Sequence, residues 1–239
     1  MSVLDIGCGL GDVTRMVAQR LNGRGSVVGV DINDAVLSNA KNRIAAEGLA
    51  CVEFVQSDLS SLPDHLPPFD AVVGRRVLMY LASPASVLEQ LYSLLAPGGV
   101  CAFQEHCRTM SPARIGSWPV HDQVHSWVWE TAMREGANPH LAMALPTMLA
   151  SIGFVVESVR VQGIVVGYER GHHPYSFIAR AMLPRMIACG VVDPDEVDID
   201  DLERRLANER RHSDGLYVSD TAVMVVARKP ATQAGSDDI

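Results

Sequence analysis

A doubly wound α/β fold with a mostly parallel sheet is the architecture this sequence predicts, and three observations predict it. Short apolar runs alternate with segments of helical periodicity through the first hundred residues. The first run, Val3-Leu4-Asp5-Ile6, leads straight into a turn with Gly7, Gly9 and Gly11 at alternate positions. Asp31 and Asp58 close the next two runs, at the carboxyl edge where open α/β sheets bind ligands.

The elements follow in order. From Asp12 the pattern turns helical, with Val13, Met16, Val17 and Leu21 at spacings of three and four. Ser26 to Val30 is a second strand, stopped by Asp31; Asn33 or Asp34 then caps a helix whose face carries Val36, Leu37, Ala40 and Ile44. Val52 to Val55 and Phe69 to Gly74 are the third and fourth strands, separated by a proline-marked loop. Ser83 or Pro84 opens a helix with Val87, Leu88, Leu91, Leu94 and Leu95 on one side; it stops at "APGG", and Val100 to Phe103 is the fifth strand. Residues 107–117 read as a loop and 118–135 as an amphipathic helix carrying Trp118, His121, His125, Trp127 and Trp129. A helix from about His140 to Ala150 leads into a strand from Phe154 to Val161, and 174–211 reads as two helices around the acidic linker "DPDEVDID". A last strand spans Ala222 to Ala227, and the polar stretch from 230 is expected to be disordered.

The composition sets bounds. With 239 residues, 48% hydrophobic and 20% charged, the chain suits one large domain with a full core. A formal net charge of -8 argues against a general polyanion-binding surface, so no nucleic-acid partner is expected. Cys8, Cys51, Cys101, Cys107 and Cys189 form no CxxC pair, which favours free thiols in a reducing cytoplasm over a disulfide framework or a zinc site. No apolar run of 18 residues appears, so no membrane span is expected.

Three nucleotide sites compete for "DIGCGLGD". A phosphate-binding P-loop needs Gly-Lys-Ser/Thr after its glycines, which is absent. A dinucleotide turn, GxGxxG, needs glycine where this chain has Asp12, and no Tyr-x-x-x-Lys pair is present to support an oxidoreductase. The third reading fits throughout: Asp5-Ile6-Gly7-Cys8-Gly9-Leu10-Gly11 resembles the first motif of the class I methyltransferases dependent on S-adenosylmethionine (SAM), an acidic residue, an apolar one, then GxGxG. "FDAVVGRRVLMYL" resembles that family's fourth motif, and "LLAPGG" its helix end before the fifth strand.

The resemblance is strong over roughly residues 2–105 and covers only topology beyond. It implies a Rossmann-like, seven-stranded sheet with an antiparallel last strand. One domain over 1–230 would divide into a SAM-binding half (1–106) and an acceptor-binding half with helical insertions (107–230), with a disordered tail at 231–239. The implied cofactor is SAM, cradled by Asp5, Gly7, Gly9 and Gly11. Asp31 would accept from the ribose hydroxyls, Asp58 from the adenine amine, and Ile32 and Leu59 would sandwich the adenine ring. Arg75 would offer its backbone to SAM or its charge to an acidic acceptor, and Met79 and Tyr80 lie where family members contact the acceptor. Family members carry a helical segment before the first strand; here Met1 sits at the strand itself, so the cover is expected from the later insertions, another subunit or an earlier start.

The implied activity is methyl transfer to an O, N or C atom of a small-molecule acceptor. No Asn-Pro-Pro-Tyr follows the fourth strand and no Pro-Cys pair is present, so methylation of nucleic-acid bases is not expected. In "FQEHCRTM" His106 is the candidate base, with Glu105 as an orienting or acceptor-binding carboxylate. His121 and His125, with Trp118 and Trp129, form a candidate wall of the acceptor pocket; without an HExxH arrangement no metal is expected. His172 and His173 lie in a loop with the composition of a lid or a solvated surface turn. The rival class is a SAM-binding protein of the same fold that is non-catalytic or catalyses another reaction. A homo-oligomer is compatible with either.

Overall fold

The computed structural model of the chain describes residues 1–63, 66–166 and 174–231. His172, His173 and the tail from 232 lie outside them. The elements are β1 (Ser2–Ile6), α1 (Asp12–Leu21), β2 (Ser26–Asp31), α2 (Asp34–Ala46), β3 (Val52–Gln56), β4 (Phe69–Arg75), α3 (Pro84–Leu94) and β5 (Leu95–Cys107). They continue with β6 (Ala113–Arg114), α4 (Pro119–Arg134), α5 (Leu141–Ile152), β7 (Val155–Val166), α6 (Pro174–Ala188), α7 (Ile199–His212) and β8 (Tyr217–Arg228). Two compact units result: Met1–Glu105 with Met143–Arg160 and Met224–Ile239, and His106–Ala142 with Val161–Val223.

In the first unit the sheet runs β3-β2-β1-β4-β5-β8. β1 to β5 are parallel, with Leu4 opposite Val28 and Val72, Val28 opposite Glu53, and Val72 opposite Cys101. The order reverses between β1 and β4, which places the turn after β1 at the switch point of the sheet. The last strands are antiparallel. Gly98 N–H donates to Lys229 C=O at 3.0 Å, and Lys229 N–H returns to Gly99 C=O at 2.9 Å.

Burial on both faces explains the unbroken apolar reading of these strands. Val3, Val27 and Ala71 pack with Ala18 of α1 on one side, while Leu4, Ile6, Val28 and Val30 are buried on the other. α2 begins as expected, Asn33 Oδ1 accepting from Val36 N–H, and buries Leu37, Ala40 and Ile44. α3 begins with Pro84 and buries Val87, Leu88 and Leu91.

Three expectations needed correction. α1 turns Thr14 and Ala18 inward and leaves Met16 exposed, because the buried Asp5 carboxylate draws Thr14 toward the sheet. The fifth strand begins before Val100: β5 starts at Leu95, opposite Phe69, and takes in "APGG" through a register shift against β4. β7 and β8 each run to 12 residues, past the apolar stretches that marked them. Among the described residues the seven expected strands are joined by two-residue β6, which lies inside the expected 107–117 loop.

The second unit is built on an aromatic core. Trp118, Tyr175 and Tyr217 pack with Val124, Leu202 and Leu206 from α4 and α7. β6 pairs antiparallel with β8, Ala113 opposite Val218 and Arg114 opposite Tyr217. Asp198 caps α7, accepting from the Asp200 and Asp201 amides, and basic Arg210, Arg211 and His212 close its last turn, favourable to the helix dipole at both ends.

Candidate cofactor and acceptor sites

The turn after β1 is left-handed at Gly7, Gly9 and Gly11, with φ of 58°, 55° and 78°. The backbone here is closely tied: Cys8 N–H donates to Val30 C=O, and Gly11 N–H to Cys8 C=O. Asp31 completes the turn, its Oδ2 accepting from Gly9 N–H at 2.9 Å and its Oδ1 from Asn33 N–H at 3.0 Å. A carboxylate has about four lone-pair sites, so each oxygen keeps room for one further donor.

Two cavities in the first unit meet at this turn. One, of about 590 Å³, is lined by Gly7, Asp31, Ile32, Asp58, Leu59, Arg76, Val77, Tyr80 and Leu81 among others. The other, of about 240 Å³, is lined by Asp5, Gly7, Cys8, Gly9, Leu10, Asp12, Val13, Arg75, Arg76 and Tyr80. Gly7, Arg76 and Tyr80 belong to both. Asp5, Gly7, Gly9, Asp31, Ile32, Asp58, Leu59, Arg75 and Tyr80 therefore line one cavity or the other, whereas Gly11, Met79 and Glu105 line neither. Gly11 instead faces Phe54 and Ala40, where an added Cβ would stand 3.3 Å and 3.4 Å from them. Its role is close packing of the turn.

Ile32 is 65% exposed and stands as an apolar lip of the larger cavity, while Leu59 is buried beneath it. Asp58 caps the short 3-10 turn Leu59–Ser61, its Oδ1 accepting from both the amide and the hydroxyl of Ser60 at 2.8 Å. Those donors hold its carboxyl below the usual range, and its Oδ2 has no hydrogen-bond partner among the described residues. Arg75 reaches within 3.9 Å of Asp12 Oδ2, half exposed at the mouth of the smaller cavity.

Asp5 is buried, and desolvation raises its carboxyl to about 6, against the hydrogen bond that Thr14 Oγ1 donates to Oδ2 at 2.5 Å. A raised carboxyl favours its protonated form in the folded chain. Its contribution to stability is complete below the unfolded value near 4 and is lost as pH rises through about 6. Asp5→Asn is therefore expected to gain stability relative to the unsubstituted chain between pH 4 and pH 7. At 1.36 kcal/mol per pKa unit the gain reaches about 3 kcal/mol. Thermal unfolding of both proteins at the two pH values checks it.

Glu105, read from the sequence as an acceptor-side carboxylate, has another place. It is fully buried, and it accepts from Val77 and Leu78 N–H at 3.0 Å each and from Met79 N–H at 3.4 Å. It thus caps the 3-10 turn Leu78–Tyr80, just after Arg76, a non-glycine residue at φ 56°. Burial pushes its carboxyl up, while the three amides and the Arg76 charge pull the other way. The sequence carries one signal for it, an acid closing the strand beside β4, but the turn it caps lies 26 to 28 residues away.

In the second unit His121 and Trp118 are core residues rather than an open wall. His121 Nδ1 lies 2.6 Å from Glu209 Oε2, its ring stacks on Tyr175, and Trp118 meets it edge-on. Glu209 also accepts from the Val120 and His121 amides, so it caps the start of α4. Trp129 Nε1 donates to Asp220 Oδ1 at 2.6 Å, and His125 Nε2 stands 3.6 Å from the same oxygen. The electrostatic influence of His106 also reaches Asp220. Asp220 is the residue sequence reasoning missed.

A parallel sheet with a glycine turn at its switch point and carboxylates at successive strand ends defines a nucleoside-binding α/β protein of the class I methyltransferase type. Residues 1–153 match the family model described as a methyltransferase domain, and the chain belongs to that family. Among curated relatives, a 2-phytyl-1,4-naphtoquinone methyltransferase of Thermosynechococcus vestitus is 29% identical over 151 residues, 62% of this chain and 64% of that protein. A trans-aconitate 2-methyltransferase of Paracidovorax citrulli is 35% identical over 105 residues, 43% of this chain and 37% of that protein. The match thus spans less than two thirds of either relative. Among solved structures, the phosphoethanolamine N-methyltransferase 2 of Haemonchus contortus, in complex with S-adenosyl-L-methionine, superposes with a TM-score of 0.58 at 16% identity, over 96% of this chain and 49% of that one. No helix among the described residues is long and apolar enough to cross a membrane.

Proposed function

We propose that the chain transfers a methyl group from SAM to an O, N or C atom of a small-molecule acceptor in the cytoplasm. The observation that carries this reading is the pair of adjoining cavities at the glycine turn. The larger offers an apolar lip and floor, Ile32 and Leu59, between two carboxylates, as an adenosine requires. The smaller is lined by Asp5, a desolvated carboxylate that a ligand bearing ammonium and sulfonium charges would compensate. The residues present fit the group. When bound, SAM supplies an electrophilic methyl carbon on a positively charged sulfur.

The chain's own residues do the rest. Asp31 accepts from the ribose hydroxyls with the lone pairs its two amide donors leave, and Asp58 accepts from the adenine amine through Oδ2. Gly7 and Gly9 let the backbone lie against the ligand, and Arg75 guards the mouth of the smaller cavity. Holding the nucleophile close to the methyl carbon supplies much of the rate. His106, one peptide beyond Glu105, removes the acceptor's proton. The naphthoquinone and trans-aconitate methyltransferases among the relatives make a naphthoquinone and trans-aconitate the first acceptors to try.

Incubating the full chain with methyl-labelled SAM and these acceptors, or a metabolite extract, is expected to yield S-adenosylhomocysteine and labelled product. Cofactor binding without either product would favour the non-methylating alternative. His106→Ala is expected to slow turnover by about 10²–10⁴-fold, as for loss of a general base, with SAM affinity unchanged. Normal turnover by that variant would remove His106 from the chemistry.

The two carboxylates separate in calorimetric titration. Asp31→Ala is expected to weaken SAM binding by about 1.5–3 kcal/mol, the range for hydrogen bonds to charged groups, and to free Gly9 N–H as well. Asp58 is exposed, so Asp58→Ala is expected to weaken it less. Unchanged affinity in both variants would sink the assignment.

A further inference from the structure

We propose that Arg76, together with the hydroxyl of Tyr80 four residues on, anchors a carboxylate of the acceptor, so that the molecule methylated is an acid. The proposal rests on the methyl-transfer reading and deepens it by naming the class of acceptor.

The place is set by the two cavities of the first unit. Gly7, Arg76 and Tyr80 are the residues that line both. With adenosine in the larger cavity and the amino-acid end of the cofactor in the smaller, the sulfur that joins them belongs where the two meet. A sulfonium and a guanidinium repel each other, and the repulsion grows where protein replaces water. An anion between them turns one repulsion into two attractions. The chain's own carboxylates are committed elsewhere. Asp5 takes the Thr14 hydroxyl, Asp31 holds the Gly9 and Asn33 amides, and Asp12 lies between Arg43 and Arg75. Arg76 acts on the charge of buried Glu105, but both oxygens of that carboxylate are held by backbone amides.

The backbone is a separate sign. Arg76 has φ 56°, in the left-handed region that glycine, asparagine and aspartate enter most readily. Among the described residues the other non-glycine residue there is Asn22, which is of that kind. Arg76 is held in place from both sides. Its N–H donates to Gln104 C=O at 2.8 Å, and Glu105 holds the three amides that follow. Backbone over-determined in this way collects at ligand-binding sites. Glycine would sit in this turn without strain, so the fold itself does not ask for an arginine.

The donors are available. Arg76 is exposed and makes no hydrogen bond or ion pair with its side chain to any described residue; Tyr80 is half-buried, and its hydroxyl makes no hydrogen bond to one either. A guanidinium presents parallel N–H groups that match the two oxygens of a carboxylate, and the phenol adds an O–H. The cofactor carries a carboxylate too, but it lies beyond the sulfur from the adenosine. Arg75, which lines the smaller cavity and not the larger, suits that one.

The test uses the full chain and a metabolite extract split by anion exchange into an acidic fraction and the remainder, each incubated with methyl-labelled SAM. Label is expected to enter compounds of the acidic fraction. Label entering the remainder as strongly, or alone, overturns the proposal and leaves methyl transfer standing. Label in neither removes the methyl-transfer reading, and the anchor with it. Arg76→Gly is expected to unfold no earlier than the unsubstituted chain, yet to label the acidic fraction about tenfold or more slowly at limiting concentration, as for loss of hydrogen bonds to a charged group. Arg76→Lys keeps the charge without the fork and should recover part of that loss. Calorimetry gives a readout without turnover: S-adenosylhomocysteine should bind Arg76→Gly unchanged, while SAM, which carries the sulfonium, should bind severalfold tighter than before. A tenfold loss of affinity for both ligands would assign Arg76 to the cofactor's carboxylate and overturn the proposal, as would unchanged labelling of the acidic fraction. Should Arg76→Gly unfold early, Arg76→Asn, which also accepts this backbone, takes its place in each measurement.

Discussion

Glu105→Ala is expected to cost about 3–9 kcal/mol of folding stability, because each buried amide left without its partner costs about 1–3 kcal/mol. Three are released together, from Val77, Leu78 and Met79. The residue is fully buried, so water has no ready access to replace the carboxylate. A loss of that size is a large part of the 5–15 kcal/mol that holds a typical domain together. The turn after β4 should feel it first, since Arg76 keeps its left-handed backbone only while the following amides are held. Val77 and Tyr80 line the larger cavity, so SAM affinity should fall with stability. Glu105→Gln separates the effects: its amide oxygen can still accept from two of the backbone donors, so it should fold better than the alanine variant. Denaturant unfolding of both variants, with calorimetric SAM titration, measures this. An alanine variant as stable as the unsubstituted chain would show that the turn stands without the cap.

The contrast between Glu105 and Asp31 shows what the sequence could and could not say. Asp31 and Asp58 were legible because each ends an apolar run, and in a parallel sheet the ends of such runs share one edge. Glu105 ends a run too, but its partners are amides of a turn that only the β4–β5 pairing brings beside it. The aromatic residues of α4 were legible as a face and not as a site. Spacings of three and four place Trp118, His121, His125 and Trp129 together, but Tyr175, Glu209, Tyr217 and Asp220, 46 or more residues later in the chain, decide their surroundings. Met16 was misread because the pattern counted apolar residues, and the position facing the sheet went to Thr14, the partner of a buried acid. Element boundaries failed where pairing rather than composition extends a strand, as through the glycines at the start of β5.

Gly9→Ala is expected to abolish measurable SAM binding while the fold survives, and Gly7→Ala to fail in the opposite way. Both glycines have φ between 55° and 58°, so an alanine pays the left-handed penalty of about 1–2 kcal/mol at either position. The surroundings differ. A Cβ on Gly7 would stand 2.4 Å from Val77 Cγ2 and 2.8 Å from Val77 Cβ, inside the contact distance of any real carbon pair. Relief requires moving Val77, whose amide belongs to the turn that Glu105 caps. Gly7→Ala should therefore destabilise the chain with or without ligand. A Cβ on Gly9 meets no protein atom within 4 Å, and Gly9 lines the smaller cavity. Its methyl group would occupy space that the protein itself leaves open, against the backbone that Asp31 fixes through the Gly9 amide. If SAM lies on that backbone, the methyl group and the ligand compete for one volume. The chain should unfold within a few degrees of the unsubstituted protein and show no heat of SAM binding. Retained affinity in Gly9→Ala would place the ligand elsewhere, whatever the fate of Gly7→Ala.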